Sequence, residues 1–227
     1  MDLRVLTWNV FHGRSVPGAG RDLYDEFAAA LESWQWDVAL LQEVPPWWPD
    51  RLASSLRCEA RAVLTSRNAL RPVRRALAVR APDLMRANGG GCNAILARCD
   101  RIVAAGAATL CRWPERRRVH GVALACGVWV SNLHSSAGPS PAAERDLRAA
   151  VRISWVWAEA IRMPLIVGGD LNLHAAQLHA DRLVTVASSD VDHLLCSEAI
   201  AMRPGSVSSP ERGALSDHAP LAVTLVI

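Results

Sequence analysis

Leu165-Ile166-Val167-Gly168-Gly169-Asp170-Leu171-Asn172-Leu173-His174 is the stretch on which the fold turns. Three branched apolar residues lead into two glycines, and a carboxylate and a carboxamide follow two positions apart. The apolar run reads as a buried strand, and the glycines let the chain turn where a Cβ would be in the way. Asp170 and Asn172 then share one side of an extended backbone at the strand end. Delivering an acid and an amide to one buried spot is costly unless something uses them. A turn stabilised by their side chains, with no further role, is the plain alternative.

Working outward, Ser140-Pro141 opens a helix, with the hydroxyl as cap and proline at the first helical position. That helix should run to about Arg162 and stop before Pro164. Other apolar strands also end in polar residues: Leu3–Val10 with Asn9, Val38–Leu41 followed by Gln42-Glu43, and Val128–Leu133 followed by His134. Asp192 lies in the strand-like run Asp190–Cys196, and Asp217-His218 stand just before the closing run Ala219–Ile227. Each has an ordinary reading: a turn residue, an exposed strand-end acid, a satisfied structural histidine. Their repetition at strand ends is what points to a site.

The remaining pattern supplies helices over Asp22–Trp34 and Asp50–Leu56, and one between Pro72 and Pro82. In the first, Leu23, Phe27, Ala30, Leu31 and Trp34 keep one face. Strands are predicted at Asn93–Ala97, Ile102–Cys111, Val119–Ala125 and Val128–Leu133; their short connections suggest one antiparallel block. Trp47 and Trp48 sit in a proline loop and cannot both face one core, so one is expected to be exposed beside Glu43. Most arginines of the 67–86 segment read as a solvated face. Arg67, followed by Asn68, is the best phosphate clamp among them. In Arg116-Arg117-Arg118 at most two side chains can reach one site, and Arg118 is the candidate there.

Composition bounds the rest. A chain of 227 residues that is 51% hydrophobic and 21% charged suits a single domain over 1–227 with a substantial core. No apolar run approaches the ~20 residues that cross a bilayer. The N-terminus lacks the basic head and apolar stretch of a signal peptide, so a soluble cytoplasmic protein is expected. The six cysteines form no C-x-x-C pair and read as reduced structural thiols. A net charge of +3 is not the footprint of a dedicated nucleic-acid binder. All 25 basic residues are arginine, so every basic contact is a planar fork suited to phosphate or carboxylate.

Carboxylates and carboxamides without thiolates make a hard oxygen site, which suits Mg²⁺, or Mn²⁺ as a substitute, rather than zinc. Histidines nearby can shuttle protons or donate to an anionic oxygen. No G-x-x-x-x-G-K-[ST] loop and no G-x-S-x-G elbow is present, which disfavours P-loop nucleotide hydrolysis and serine-hydrolase chemistry. With these residues in view, the sequence resembles the endonuclease/exonuclease/phosphatase superfamily, which includes pancreatic-type deoxyribonucleases and abasic-site endonucleases. Six segments carry the resemblance in the family's order: Thr7-Trp8-Asn9-Val10, Leu41-Gln42-Glu43-Val44, Asn132-Leu133-His134, Gly169-Asp170-Leu171-Asn172, Val191-Asp192-His193-Leu194 and Ser216-Asp217-His218. The third departs from the usual Thr-His-Leu, reading Leu133-His134-Ser135.

The resemblance implies an α/β (α+β) fold, a four-layer α-β-β-α sandwich of two mixed β-sheets flanked by helices. It implies Glu43 as a direct Mg²⁺ ligand, with Asn9 and Asp217 at or beside the metal. Asp170 and Asn172 would position the attacking water or the phosphate, Asp192 would pair with His218, and His134 would donate to a phosphate oxygen. Two groups compete as general base: His218 oriented by Asp192, and Asp170. Arg118 and Arg67 would steady the transition state. The expected activity is a metal-dependent phosphoester hydrolase, first of all a phosphodiesterase or nuclease acting on DNA or RNA. A phosphatase or phosphodiesterase on lipid headgroups or small phosphorylated metabolites is the alternative, for which Trp47 and Trp48 argue. A non-catalytic binding protein on the same fold is the third reading.

Overall fold

Alternation along β1 (Asp2–Asn9) shows how the layers form. Leu6 and Trp8 join one apolar cluster and Leu3 and Val5 another, so the strand is buried on both faces. The computed structural model describes residues 1–65, 68, 70–80, 91–98, 100–201 and 204–227. Arg67, named above as a phosphate clamp, lies outside the described residues.

β1 pairs in parallel with β2 (Val38–Val44) and antiparallel with β12 (Leu221–Val226). β4 (Cys92–Ala97), β3 (Glu59–Leu64) and β11 (Pro204–Ser208) complete a six-stranded sheet in the order β11-β12-β1-β2-β4-β3. A second six-stranded sheet runs β5 (Ile102–Cys111), β6 (Arg117–Leu124), β7 (Val128–His134), β8 (Leu165–Asp170), β10 (Asp192–Ser197), β9 (Leu183–Ser189). In it β7 and β8 are parallel, joined by a helical crossover. Val5, Leu40, Ile95 and Val223 meet Val122, Val130, Ile166 and Leu194 between the sheets.

Helices close the outer faces. α1 (Tyr24–Ser33) and α2 (Pro49–Leu56) set Phe27, Leu31 and Leu52 against Leu6, Trp8 and Leu41. α4 (Pro141–Ala160) sets Leu147, Ala150 and Val151 against Val119 and Leu133 on the other side. Ser140 caps it, its hydroxyl accepting from the Ala143 amide. α3 (Arg71–Arg80) lies on the surface, and a short α5 (Glu198–Ala201) follows β10. The architecture is the four-layer α-β-β-α sandwich.

Two expectations change. The strand at 92–97 does not join the antiparallel block that follows it; it pairs with β2 and β3 in the other sheet. Short loops favour adjacency, but Ile95 needs the inter-sheet core while Ala94 and Leu96 need the helix side, and the place beside β2 supplies both. Trp48 is not at the site either. It is buried against Tyr24 and Phe27 and packs on Gly13, where an added Cβ would come to 2.5 Å from its ring. Trp47 is half-buried at the surface of the same cluster.

Gly169 carries the close approach on which β8 depends. Its φ is +140°, and a Cβ there would stand 1.8 Å from the Leu133 carbonyl oxygen of β7. Gly169→Ala is therefore expected to destabilise the protein by about 3 kcal/mol or more. Urea unfolding checks this; a midpoint unchanged from the parent would show that β7 and β8 can separate at no cost.

Candidate active site

Strand alternation places the first site residues. On β1 the parity of Leu3 and Val5 continues through Thr7 to Asn9, and on β7 that of Val128 and Val130 continues through Asn132 to His134. On β8 Ile166 and Gly168 lead to Asp170. His134 stands beside Asp170 in the parallel ladder, and Asp192 opposite Asp170 in the antiparallel one. Four polar side chains thus gather at one edge of the inter-sheet layer.

Glu43 arrives differently. Parity with Val38 and Leu40 sends Gln42 inward, where its amide nitrogen donates to the Thr7 hydroxyl, the Leu40 carbonyl and Asn132 Oδ1. Glu43 has a left-handed φ of +52°, and the β2–β4 register shifts between Leu41 and Val44. A left-handed conformation costs a bulky residue about 1–3 kcal/mol and persists where its surroundings enforce it. Here it turns the carboxylate toward the site.

Asp170 is the hub. Its Oδ2 accepts from Asn9 Nδ2 at 2.9 Å and its Oδ1 from the Asn172 amide at 3.1 Å. His134 Nε2 lies 3.5 Å and His218 Nε2 3.8 Å from the same Oδ2. His218 is held from behind: its Nδ1 is 2.7 Å from Asp192 Oδ2, and its carbonyl accepts from the Trp8 indole. Ser216 ties the Asp217-His218 loop to β1 by donating to the Asn9 carbonyl.

The open pocket holds about 260 Å³ and is lined by Asn9, Glu43, His134, Asp170, Asn172, Asp217 and His218, with Thr65, Arg116 and Arg117 at its wall. Asp192 stands behind His218 and does not line it. Arg118 does not line it either; its neighbours Arg116 and Arg117 do. Arg116 donates to the Thr65 carbonyl and Arg117 pairs with Glu115, so both are anchored at the rim.

His12 is the site residue that sequence reasoning missed. Its Nε2 is 3.0 Å from Glu43 Oε2, and the residue is the middle one of a 3-10 turn over Phe11–Gly13. Burial and then Arg14 lower its pKa to about 4, against Asp217 and Glu115. The glycine following His12, directly after a strand that ends in Asn9, was the available signal.

Charges divide the other imidazoles. Burial opposes protonation of His218, but the hydrogen bond and charge of Asp192, with Asp170 and Asp217 nearby, outweigh it and raise the pKa to about 9. Burial raises the Asp192 carboxyl, the Asp170 charge adds to it, and the bond to His218 works against both. Burial lowers His134, Asp170 and Glu43 opposing and Arg117 and His218 assisting.

His120 sits deeper, on β6, with its Nε2 unpartnered; burial and then Arg118 lower its pKa to about 3. Since its folded pKa lies below the unfolded value, the unfolded chain binds more protons in acid. The stability present above the unfolded pKa is therefore lost as pH falls from about 6.5 toward 3, at about 1.4 kcal/mol per unit for one such group. Urea unfolding at pH 7 and pH 4.5 should show this loss, and His120→Leu should make it shallower, with His12 and His134 keeping their own shares. An equally steep acid slope in the variant would rule His120 out as its source.

The donor set suits a hard divalent cation. Asp170, Asp192 and His218 offer ligand atoms within 4.8 Å of one another, but Asp192 stands behind the pocket, its Oδ2 against His218 Nδ1. Glu43, Asp170 and Asp217 with the Asn9 amide are among the oxygen donors that line the pocket. Mg²⁺ keeps several waters and needs only one or two protein carboxylates, so such a set is sufficient.

Comparison with known proteins gives a family and a fold. The model of the Endonuclease/Exonuclease/phosphatase family matches residues 6–218. No curated protein sequence matches the chain. Among solved structures, an endonuclease/exonuclease/phosphatase from Beutenbergia cavernae superposes with a TM-score of 0.72 at 21% identity, over 99% of this chain and 71% of that one. A mannosyl-6-phosphatase from Bacteroides thetaiotaomicron gives 0.69 at 17% identity, over 99% and 100%. TDP2 from Caenorhabditis elegans gives 0.64 at 15% identity, over 100% and 75%. At these identities the structures share the fold.

Proposed function

The chain belongs to the endonuclease/exonuclease/phosphatase family, whose members are generally hydrolases acting on phosphoesters, and on that premise we propose that it is a divalent-metal-dependent phosphodiesterase. One observation carries the reading. Asp170 is buried and fixed by Asn9 and the Asn172 backbone amide, and two histidines turn Nε2 toward its Oδ2.

In this reading Asp170 accepts the proton of the attacking water as the water oxygen bonds to phosphorus and the bond to the leaving oxygen breaks. His218, protonated and oriented by Asp192, donates from Nε2 to a phosphoryl oxygen; of the two candidate bases this favours Asp170. His134 and Asn172 position the phosphate. Glu43, with Asn9 and Asp217, would hold Mg²⁺ or Mn²⁺, which when bound supplies Lewis-acid polarisation of the phosphoryl oxygen.

The diester placed first is nucleic acid, DNA or RNA, for the arginine forks at the rim. A phosphomonoester is the second reading, favoured by the small volume of the pocket. Hydrolysis of bis(p-nitrophenyl) phosphate against p-nitrophenyl phosphate, each with Mg²⁺, Mn²⁺ or EDTA, separates them. Metal-dependent cleavage of the diester supports the first; cleavage of the monoester alone replaces it with the second. Diester cleavage undiminished in EDTA would sink the metal-dependent mechanism. Oligonucleotide binding that weakens with salt would support nucleic acid as the substrate.

A further inference from the structure

We infer that the outer face of α3, together with the tip of the β5–β6 hairpin, docks on an anionic membrane surface. This is independent of the hydrolase reading and is read by binding alone.

α3 exposes the wrong residues for a solvated helix. Within 72–80 only Arg74 and Ala78 are half-buried; Pro72, Val73, Ala76, Leu77 and Val79 face out, flanked by Arg75 and Arg80. Leu70 just before it is 75% exposed, Val73 55%, Val79 51% and Leu77 44%. The helix contains four arginines and no acid. Between it and Pro46–Trp47 lies a cavity of about 730 Å³, with Ala76 and Val79 among its walls and Arg75 and Arg80 lining it.

The hairpin tip adds a second apolar anchor. Trp113 is 83% exposed and stands next to Arg112. Arg116 of the same loop donates to the Thr65 carbonyl, and both residues line the pocket. The tip thus sits on the pocket rim beside Thr65, six positions before α3 begins.

Charge and apolarity together select the occupant. Exposed aliphatic residues on an arginine helix, with a protruding indole, match a helix lying in the plane of a membrane interface. Arginine forks there attract acidic headgroups. A nucleic-acid backbone would use the arginines but leave Val73, Leu77 and Val79 without a role. A second copy docking symmetrically would bring Arg75 and Arg80 toward their counterparts with no acid on the helix to offset them.

The test is flotation of the full chain, in EDTA, with vesicles of phosphatidylcholine alone and of phosphatidylcholine mixed with phosphatidylglycerol. The chain should float with the mixed vesicles and stay behind with phosphatidylcholine. Affinity should fall by about tenfold or more in Val73→Asp/Leu77→Asp and in Arg75→Glu/Arg80→Glu, and measurably in Trp113→Ala, with melting temperatures kept. No recovery on mixed vesicles, or equal recovery of all variants, would overturn the inference. So would oligonucleotide binding lost in the arginine variant but kept in the aspartate variant, if no vesicle binding is seen. A dimer in sedimentation that Leu77→Asp dissociates would instead assign the face to a second copy.

Discussion

Asp170→Asn is expected to lower turnover of a phosphodiester by about 10³-fold or more, because proton transfer and transition-state positioning both pass through this side chain. Its Oδ2 takes the Asn9 amide and faces both His134 and His218, and its Oδ1 anchors the Asn172 backbone. Asparagine keeps the shape but cannot accept a proton from water. Its amide also presents a donor where one of the present donors arrives. The fold should survive. Asp170 is a buried charge whose field helps push Asp192 upward, so neutralising it relieves one strain while weakening one hydrogen bond. Steady-state kinetics with a thermal melt checks both halves. Activity within about tenfold of the parent, with the melt unchanged, would remove Asp170 from the chemistry.

The second large effect belongs to the His218–Asp192 pair. His218→Ala should cost about 10²- to 10⁴-fold in turnover, the range of a positioned acid–base group. Asp192 does not line the pocket and acts through His218, which it orients at 2.7 Å and whose protonated form it stabilises. Asp192→Ala should therefore cost less than His218→Ala, and the double variant should be no worse than His218→Ala alone. Losses that multiply in the double variant would show Asp192 contributing by a separate route. NMR of the His218 ring in Asp192→Asn gives a readout that turnover does not: the imidazole pKa should fall toward its ordinary value.

Much of this site was legible in the chain before any fold was known. A period of two along apolar strands puts Asn9, His134 and Asp170 on inward parity, and the order of six short segments brings in Glu43, Asp192, Asp217 and His218. The outer helices follow from equally local signals: the Ser140-Pro141 start, and the spacing of Leu23, Phe27 and Leu31. The strands at 59–64, 183–189 and 204–208 were not foreseen. They lie at sheet edges, where one-sided burial leaves too little apolar signal to separate strand from loop.

What tertiary structure alone decided is of another kind. Parity points Gln42 inward, and only a left-handed residue at a register shift turns Glu43 toward the pocket. His12 matters because a 3-10 turn lays it against that carboxylate, and Trp48 becomes core because Gly13 leaves room for its ring. Arg116 and Arg117 rather than Arg118 reach the rim. Period and residue type are local properties, so they already fix which residues can be buried on strands and helices and which chemistry they carry. Which strand joins which sheet, and which neighbouring side chain wins a place in the pocket, depend on contacts between residues far apart in the chain; they exist only once the two sheets have closed on each other.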